Sequence, residues 1–397
     1  MLEEVCVYSA VPYFHNTKCR LTVRIDINAN TSLSDIASWP AADGQVIELH
    51  ITHESSFSLL AEGTAIAAYQ ALRENSVEIA VRIPFSSEQQ ESILGYVRNS
   101  QVLYSLFGLN VIYTCDKVVD TSGRDLKELV ADFMHKELRP RDFLRKGDKT
   151  WIASRWPGPI IPGCLAIGGS QTIPDPQMIA TVLYRLRFNH KEGFERSWNL
   201  HQRSAISYVY EAFRNLIEHA SISQMGFSGI LIERVNLEEQ ADVASYTNHV
   251  SRLGEYLKSF AVVEGGFKGA ELTAITVADY GLGIQRTLEA VTGESESMRV
   301  KRAFQAGVSS KPKSGAPNYG QGLPEILATT RKLRAFLVVR SRGLLLSYDG
   351  VAAQAEAGEF VESQRWTSRV GDAIPGVSLS LIFPNRVKQT GQTTLEL

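Results

Sequence analysis

Residues 208–220, with the sequence YVYEAFRNLIEHA, decide how the rest of this 397-residue chain is interpreted. The apolar residues predict a buried helix, and Glu211 and Asn215 lie four residues apart, so they project from the same side of it. A carboxylate and an amide on a largely apolar helix need polar partners, because burying them alone is costly. A hydrated metal ion and a phosphate would be suitable partners.

Two later segments add glycine pairs, one after an acid and one ahead of a helix. Residues 273–284, TAITVADYGLGI, form a β-rich run that ends at an acid and continues with two glycines at alternate positions. Residues 307–323, GVSSKPKSGAPNYGQGL, end in a second glycine pair that opens a predicted helix. The residues of interest in the two segments are Asp279, Gly281, Gly283, Ile284, Lys311, Gly320, Gly322 and Leu323.

The order of these three segments resembles the N, G1 and G2 boxes of the GHKL ATPase superfamily. That superfamily includes gyrase, the heat-shock chaperone ATPases, histidine kinases, MutL and the anti-sigma-factor serine kinases. The form Glu-Ala-x-x-Asn-x-x-x-His-Ala is closest in style to the anti-sigma-factor and histidine kinases. The resemblance implies an ATP-binding domain over residues 196–390 with the Bergerat fold, an α/β sandwich whose mixed sheet carries helices on one face.

The resemblance gives each polar residue of the helix a role. Asn215 would coordinate Mg²⁺, which takes hard oxygen ligands and keeps several waters alongside phosphate oxygens. Glu211 would orient or deprotonate the attacking water, or the acceptor hydroxyl in a kinase. His219, also a candidate cofactor-binding residue, would pack or hydrogen-bond on the same helix face, or would contact the phosphate. Without the glycine segments, an ordinary capped or solvated helix face would be the favoured explanation of Glu211 and Asn215.

The segment at Asp279 would hold the adenine. Its carboxylate would accept a hydrogen bond from the exocyclic amine, and Gly281 and Gly283 would let the backbone approach the nucleotide. Two residues depart from the family pattern: Tyr280 replaces the usual Asn after the acid, and Val377 replaces a Thr that relatives often carry. The second departure removes one supporting hydroxyl.

The segment at Gly320 and Gly322 would form a phosphate cradle at the start of the Leu323 helix, where free amides and the helix dipole favour anions. Lys311, in the lid-like stretch before it, would reach the β- or γ-phosphate, and an exposed lysine fits that position equally well. Residues 299–342 hold ten Lys or Arg against one acid. A triphosphate or a phosphorylated partner explains this bias, and a solvated basic face explains it nearly as well.

The chain before residue 196 is interpreted as a small α/β domain, residues 1–120, and a connection, residues 121–195, that contains Pro-Gly clusters. The α/β part looks like a degenerate STAS domain, the fold of anti-sigma-factor antagonists, in which a serine in a loop before a helix is phosphorylated. The corresponding loop here carries Ser55, Ser56 and Ser58. The alternative is that Ser56 or Ser58 only caps the next helix.

The composition is ordinary for a soluble globular protein, with 44% hydrophobic and 21% charged residues. A net charge of −2 argues against a protein that coats nucleic acid. No apolar stretch approaches the length of a membrane span, and no signal-peptide pattern opens the chain. The four cysteines show no CxxC spacing, which indicates reduced thiols. We therefore expect a cytoplasmic protein that binds neither membranes nor nucleic acids.

Other nucleotide-binding patterns fit the sequence poorly. A GxxxxGK[ST] loop is absent, and a dinucleotide fingerprint would need a third glycine where Arg286 stands. The phospho-acceptor histidine of a sensor kinase normally lies far upstream of the N box, whereas His190 and His201 lie only shortly before it. A complete sensor kinase is therefore not expected.

Three functional classes remain open. The first is an ATP hydrolase or a serine/threonine kinase of the anti-sigma type, regulated by its own STAS-like domain. The second is a non-catalytic switch in which ATP changes the affinity for a protein partner. The third is the ATPase component of a bacterial stress or defence system. Glu211 favours an enzyme, because a pure binder needs no base. All three classes use ATP and Mg²⁺ and imply a regulatory protein partner, and all are compatible with a homodimer.

Overall fold

The computed structural model describes residues 21–40, 44–86, 90–100, 114–138, 144–146, 149–153, 165, 174–187, 193–220, 228–238, 242–243, 250, 252–263, 266–267, 269–308, 320–352, 360–365 and 374–385. These residues form a four-stranded parallel sheet, an eight-stranded sheet and a two-stranded ribbon, with helices packed on the sheets. The predicted α/β class is therefore confirmed.

The parallel sheet is built from the first third of the chain, and its strands pair in chain order. Each strand-to-strand connection carries a helix, and right-handed crossovers in that order place successive helices on the same face. The strands are β1 (Thr22–Ile27), β2 (Val46–Ile51), β3 (Glu78–Arg82) and β4 (Lys117–Val119). The helices are α1 (Leu33–Ala37), α2 (Ala61–Asn75) and α3 (Gln90–Asn99), with α4 (Lys127–Leu138) after the last strand.

Helix α2 is buried on every side along most of its length. All residues from Ala61 to Leu72 are buried, and most of them are small or apolar. Small side chains let a helix approach other elements closely, so a helix of this kind can be covered on two opposite faces. One apolar cluster accordingly includes residues of the parallel sheet, of α2 and of the eight-stranded sheet.

The start of α2 differs from the predicted serine cap. Its N-cap residue is Leu60, at φ 72°, and no side chain caps the helix. The hydroxyl of Ser56 instead accepts a hydrogen bond from the Asn30 amide at 2.8 Å, and Ser58 is buried with its backbone amide bonded to a neighbouring loop. Ser55 is also buried. The capping interpretation of Ser56 and Ser58 is therefore wrong, because both serines hold loops together across the top of the parallel sheet.

The second sheet contains eight strands in the order β13-β12-β11-β14-β10-β7-β6-β5, and every pairing is antiparallel. The mixed sheet implied by the resemblance is therefore not observed. Its strands are β5 (Leu144–Lys146), β6 (Lys149–Ala153), β7 (Ser228–Leu237), β10 (Ala270–Asp279), β11 (Phe336–Ser341), β12 (Leu344–Asp349), β13 (Val361–Arg365) and β14 (Val377–Pro384). Strands β8 (Val262–Val263) and β9 (Gly266–Phe267) form the ribbon.

Helices cover both faces of the antiparallel sheet. The remaining helices are α5 (Pro176–Arg187), α6 (Gly193–Ala220), α7 (Leu253–Ala261), α8 (Ile284–Thr287), α9 (Glu296–Ala303) and α10 (Gly322–Lys332). One face packs against α5, α6 and α10, and the other packs against α2 and α7. The expectation of helices on one face is therefore wrong, because β10 is buried on both of its faces from Leu272 onward.

Several predicted elements agree closely with the structure. The buried helix predicted at residues 208–220 lies within α6, and the β-rich run predicted from residue 273 to the acid Asp279 lies within β10. The stretch 121–195, interpreted as a connection, contributes α4, α5, β5 and β6, and β6 pairs directly with β7. In the described part of the chain, no helix combines the length and the apolar character that crossing a membrane requires.

Candidate functional site

The polar face of α6 carries Glu211 and Asn215, as the sequence predicted. The Asn215 amide donates from Nδ2 to the Glu211 carbonyl at 2.7 Å, one turn back along the helix. This bond uses the amide nitrogen, so the side-chain oxygen is the group left to face a ligand. Arg214 bonds Glu218 at 3.2 Å and lies 3.9 Å from Glu211 Oε2.

The start of α10 packs directly on this pair. A Cβ added to Gly322 would lie 2.5 Å from Asn215 Nδ2 and 2.9 Å from Glu211 Oε2. No side chain can occupy that space unless the polar pair moves, so only glycine allows the backbone of α10 to come this close. The segments that resemble the N and G2 boxes, about a hundred residues apart in the chain, therefore meet at this contact.

The start of α10 follows a tight loop that is closed by two glycines. The N-cap Gln321 makes no side-chain capping bond. Gly320, at φ 63°, sits so close to Gly307 that its own Cβ would lie 2.8 Å from the Gly307 carbonyl carbon. The Gly307 amide donates to the Gly320 carbonyl at 3.1 Å, which closes the loop that leads into the helix. Lys311, between these glycines in the chain, lies outside the described residues.

Glu211 sits in an environment that disfavours its charge. Burial raises the pKa of its carboxyl, and the nearby Arg214 offsets only part of that effect. Its Oε2 atom is buried and has no hydrogen-bond partner among the described residues. A raised pKa and a buried oxygen without a hydrogen-bond partner among the described residues make Glu211 a candidate functional carboxylate.

Asp279, at the end of β10, forms a second polar centre. It is 3% exposed, and its Oδ1 accepts hydrogen bonds from the amides of Gly281 at 2.6 Å and Val377 at 3.1 Å. Gly376, at φ 82°, packs so tightly that a Cβ there would lie 1.9 Å from the Asp279 carbonyl oxygen. The Gly376-Val377 pair therefore reaches the acid through backbone groups, and the absent Thr hydroxyl is not needed for these contacts.

A buried arginine modifies the electrostatics around Asp279. Burial raises the pKa of Asp279 to about 6, while its backbone donors and the charge of Arg340 act in the opposite direction. Burial also lowers the pKa of Arg340 to about 10. Arg340 donates from Nη1 to the Pro375 carbonyl at 3.2 Å, and its Nε and Nη2 have no partner in the described part of the chain.

The glycine turn after Asp279 is held by β11. Gly283 adopts φ 87°, and a Cβ on it would lie 2.7 Å from Arg342 Cγ. The Ile284 amide donates to Ser341 Oγ at 2.9 Å, and the Gln285 side-chain amide donates to the Ser341 carbonyl at 3.1 Å. Sequence reasoning missed Gln285, Ser341 and the two arginines. Their signal was the polar pair Arg340-Ser341 inside the apolar strand FLVVRS.

The two polar centres are linked only through the scaffold. The Tyr208 hydroxyl, one turn before Glu211, donates to the Leu379 carbonyl at 2.6 Å and approaches the Ile275 carbonyl at 3.3 Å, which fixes α6 over β10 and β14. Among the described residues, no hydrogen bond or ion pair joins Asp279 to Glu211. The structure thus brings Glu211, Asn215 and Gly322 together in one group, and Asp279, Gly281, Gly283 and Ile284 in another.

Leu323 and His219 are the two remaining predicted site residues. Leu323 follows Gly322 in the first turn of α10 and packs, half-buried, on the core beneath α6. His219 lies in the last turn of α6, and its side chain is outside the described residues. Within the described residues, no group of three or more His, Cys, Asp or Glu side chains could hold a metal ion. Any metal here would therefore rest on few protein groups.

Comparisons of the chain with protein-family models, with curated proteins and with solved structures found no match. The geometry of the two polar centres therefore carries the functional argument.

Proposed function

We propose that the antiparallel domain binds Mg·ATP between the Asp279 turn and the Glu211–Gly322 contact, and hydrolyses it or transfers its γ-phosphate. The observation that carries this proposal is the packing of Gly322 on Glu211 and Asn215, with room for no Cβ. That contact sets the start of a helix beside the Glu211 carboxylate and the Asn215 side-chain amide. Amides at a helix start attract phosphate, and the two side-chain oxygens suit a hydrated cation.

The residues present fit the groups that this function needs. At the phosphate end, no side chain of the described residues caps the helix start. Among the same residues Glu211 Oε2 is buried without a hydrogen-bond partner, and Arg214 Nη1 lies 3.9 Å from it. A phosphate on the amides and a cation near the two oxygens would satisfy both. Asn215 would hold Mg²⁺ through its side-chain oxygen, and that ion would supply charge neutralisation for the transferred phosphoryl group.

Glu211 is the group we assign to proton transfer. Burial moves the pKa of its carboxyl upward, towards the range in which a base works best at neutral pH. Arg214, bonded to Glu218, keeps a positive charge nearby and favours the ionised form needed to accept a proton. The carboxylate would orient a water, or a hydroxyl of an acceptor protein, for in-line attack.

Asp279 would read the adenine. Its Oδ1 is held by two backbone amides, so the carboxyl group has a fixed orientation, with the second oxygen to receive the exocyclic amine. Guanine presents a carbonyl at that position and would be rejected. Gly281 and Gly283 would let the backbone come close to the bound base. The positive charge of Arg340 favours the ionised form of Asp279, since it lowers the pKa of that carboxyl.

One observation also supports the second class, a nucleotide-gated switch. Helix α2 of the parallel domain packs on the antiparallel sheet, on the face opposite α6. The approach is close, because a Cβ added to Gly63 would lie 3.2 Å from Ala278 Cβ. A partner that acts on the parallel domain would thus be coupled to the sheet. The STAS-like character of that domain, a regulatory partner, a homodimer and a role in bacterial stress or defence belong to the same proposal.

The test is calorimetric titration of the full chain with ATP and Mg²⁺, together with phosphate release. Glu211→Gln should retain binding and lose turnover, and Glu218→Gln, on the same helix, is the matched control. Asn215→Ala should abolish the Mg²⁺-dependent part of binding. Asp279→Ala should lower the affinity for adenine nucleotides, while the affinity for GTP stays low. Binding without turnover in the wild type would favour the switch. Equal nucleotide affinity in wild type, Asn215→Ala and Asp279→Ala would overturn the site assignment.

A further inference from the structure

Tyr280 follows Asp279 directly, yet it serves a different part of the molecule. Alternation along the end of β10 sends neighbouring side chains to opposite faces of the sheet. Asp279 contacts the Gly281 and Val377 amides, whereas Tyr280 packs against the apolar cluster that contains α2 and the parallel sheet. Its hydroxyl donates to Glu74 Oε2 at 2.6 Å, across 206 residues of sequence.

The phenol is a secure donor in this bond. Burial raises the pKa of Tyr280, and the hydrogen bond to Glu74 raises it further, so the hydroxyl stays protonated. A hydrogen bond to an ionised carboxylate is stronger than one between neutral groups. The aromatic ring, half-buried against the shared cluster, adds apolar contact to the bond.

Helix α2 has a fixed position from which to hold Tyr280. Near its first residue, Glu62 accepts hydrogen bonds from Lys149 at 2.9 Å and from Trp151 at 3.0 Å, both on β6. Next to it, Gly63 lies against Ala278, the residue before Asp279. The helix is thus attached to the antiparallel sheet at its beginning, and Glu74 attaches it again in its last turn.

We propose that Tyr280 is a positioning residue: through Glu74 it fixes the turn 279–283, so that ligand affinity at that turn depends on the parallel domain. Within the resemblance described above, this is the position where relatives carry Asn. Here the side chain connects the turn to α2 instead. The part of the proposal that concerns affinity rests on the proposed nucleotide function, whereas the part that concerns the turn does not.

Coupling of this kind acts in both directions. A ligand that orders the turn 279–283 strengthens the attachment of α2, and a partner that displaces α2 weakens the ligand by the same factor. The parallel domain would therefore regulate the nucleotide site without touching the nucleotide. The displaced element would be the end of α2 that carries Glu74, since its beginning is held by buried contacts.

The first measurement is amide hydrogen exchange of the ligand-free full chain. Tyr280→Phe removes only the hydroxyl, and Glu74→Ala removes its acceptor. Both should speed exchange at the amides of Gly281 and Ile284, by about threefold to tenfold for one charge-assisted hydrogen bond. Glu74→Gln, which retains an acceptor, should restore most of the protection. Arg73→Ala is the control, because Arg73 bonds Asp116 within the parallel domain at 3.3 Å.

The second measurement is the affinity of the same proteins for Mg·ADP, a probe that is not turned over. Tyr280→Phe and Glu74→Ala should each weaken binding by about threefold to tenfold, and the double variant should be no weaker than the weaker single variant. Arg73→Ala should bind like the wild type. If the wild type does not bind Mg·ADP, only the proposed nucleotide function is overturned. Hydrogen exchange of the ligand-free protein still decides whether Glu74 positions the turn. Unchanged exchange in Tyr280→Phe and Glu74→Ala overturns the positioning role, and faster exchange with unchanged affinity overturns the coupling.

Discussion

Two lysine ion pairs, one at each sheet, lie in opposite environments. In the parallel sheet, cross-strand pairs such as Lys117 with Glu78, at 2.7 Å, lie at the surface, and the lysine side chain is 49% exposed. Between α2 and the antiparallel sheet, Lys149 contacts Glu62 at 2.9 Å and Glu233 at 3.1 Å, and all three are almost completely buried. The first arrangement can be lost at little cost. The second holds α2, and with it the parallel domain, against the antiparallel sheet.

The physical difference is desolvation. An exposed pair exchanges water contacts for a screened attraction, so its net contribution is small. Burial alone would lower the pKa of Lys149, but the carboxylates of Glu233 and Glu62 raise it above its usual value. The buried ammonium is therefore charged, and each member of the group depends on the others.

The largest expected effect comes from Lys149→Ala. Removing the ammonium between two buried carboxylates should lower the free energy of unfolding by about 3–5 kcal/mol. Lys117→Ala, the exposed counterpart, should cost no more than about 1 kcal/mol. Urea denaturation of the two variants measures both values. Equal losses of unfolding free energy in the two variants would show that the buried ion pairs between α2 and the antiparallel sheet stabilise the protein no more than the surface pairs do.

The next effect is a gain in stability at Asp279. Burial raises its folded-state pKa to about 6, above its ordinary value of 3.8. Between these two values the folded protein binds more protons than the unfolded chain, so stability falls as pH rises through this window. Asp279→Asn does not titrate and should be more stable than the wild type above the window, by up to about 3 kcal/mol.

Thermal unfolding at about pH 5 and pH 7.5 tests this prediction. The stability advantage of Asp279→Asn over the wild type should grow with pH. The proposed adenine contact predicts that this variant binds adenine nucleotides more weakly than the wild type. If Asp279→Asn is instead destabilised equally at both pH values, the carboxylate is a structural group. It would then not lower stability in the way expected of a residue kept for binding.

The smallest of these effects concerns the closeness of α2 to the sheet. A Cβ on Gly63 would lie 3.2 Å from Ala278 Cβ, whereas no atom of the described residues lies within 4 Å of a Cβ on Gly95 in α3. Gly63→Leu should therefore cost about 1–3 kcal/mol through overpacking. Gly95→Leu should be neutral or stabilising by up to about 1 kcal/mol, because leucine favours helix. A neutral Gly63→Leu would mean that α2 moves away from the sheet readily.

The sequence predicted those features that depend on local pattern. The apolar spacing around Glu211 predicted α6, and the β-rich run before Asp279 predicted the second half of β10. The contact of Gly322 with Asn215 was predicted only by the motif order, since nothing local brings two segments so far apart together.

What the sequence did not reveal depends on tertiary contacts. The position of Lys149 in a connection-like stretch hid a strand whose pairing with β7 is decided by distant residues. Tyr280 was recognised only as a departure from a pattern, because its partner Glu74 lies in another domain. The burial of α2 on both sides followed from its small residues, a composition that fits a surface helix of a small domain equally well.

The placement of α2 also has a consequence for the order of synthesis. The helix ends at Asn75, but β10 begins at Ala270 and β14 at Val377, so the surface that α2 presents to the antiparallel sheet is translated long before its cover. At ordinary elongation rates that interval is on the order of tens of seconds. The nascent chain must keep an alanine-rich apolar stripe and the carboxyl group of Glu62 hydrated during this time. Chaperone demand on the ribosome should therefore end only when β14 has emerged.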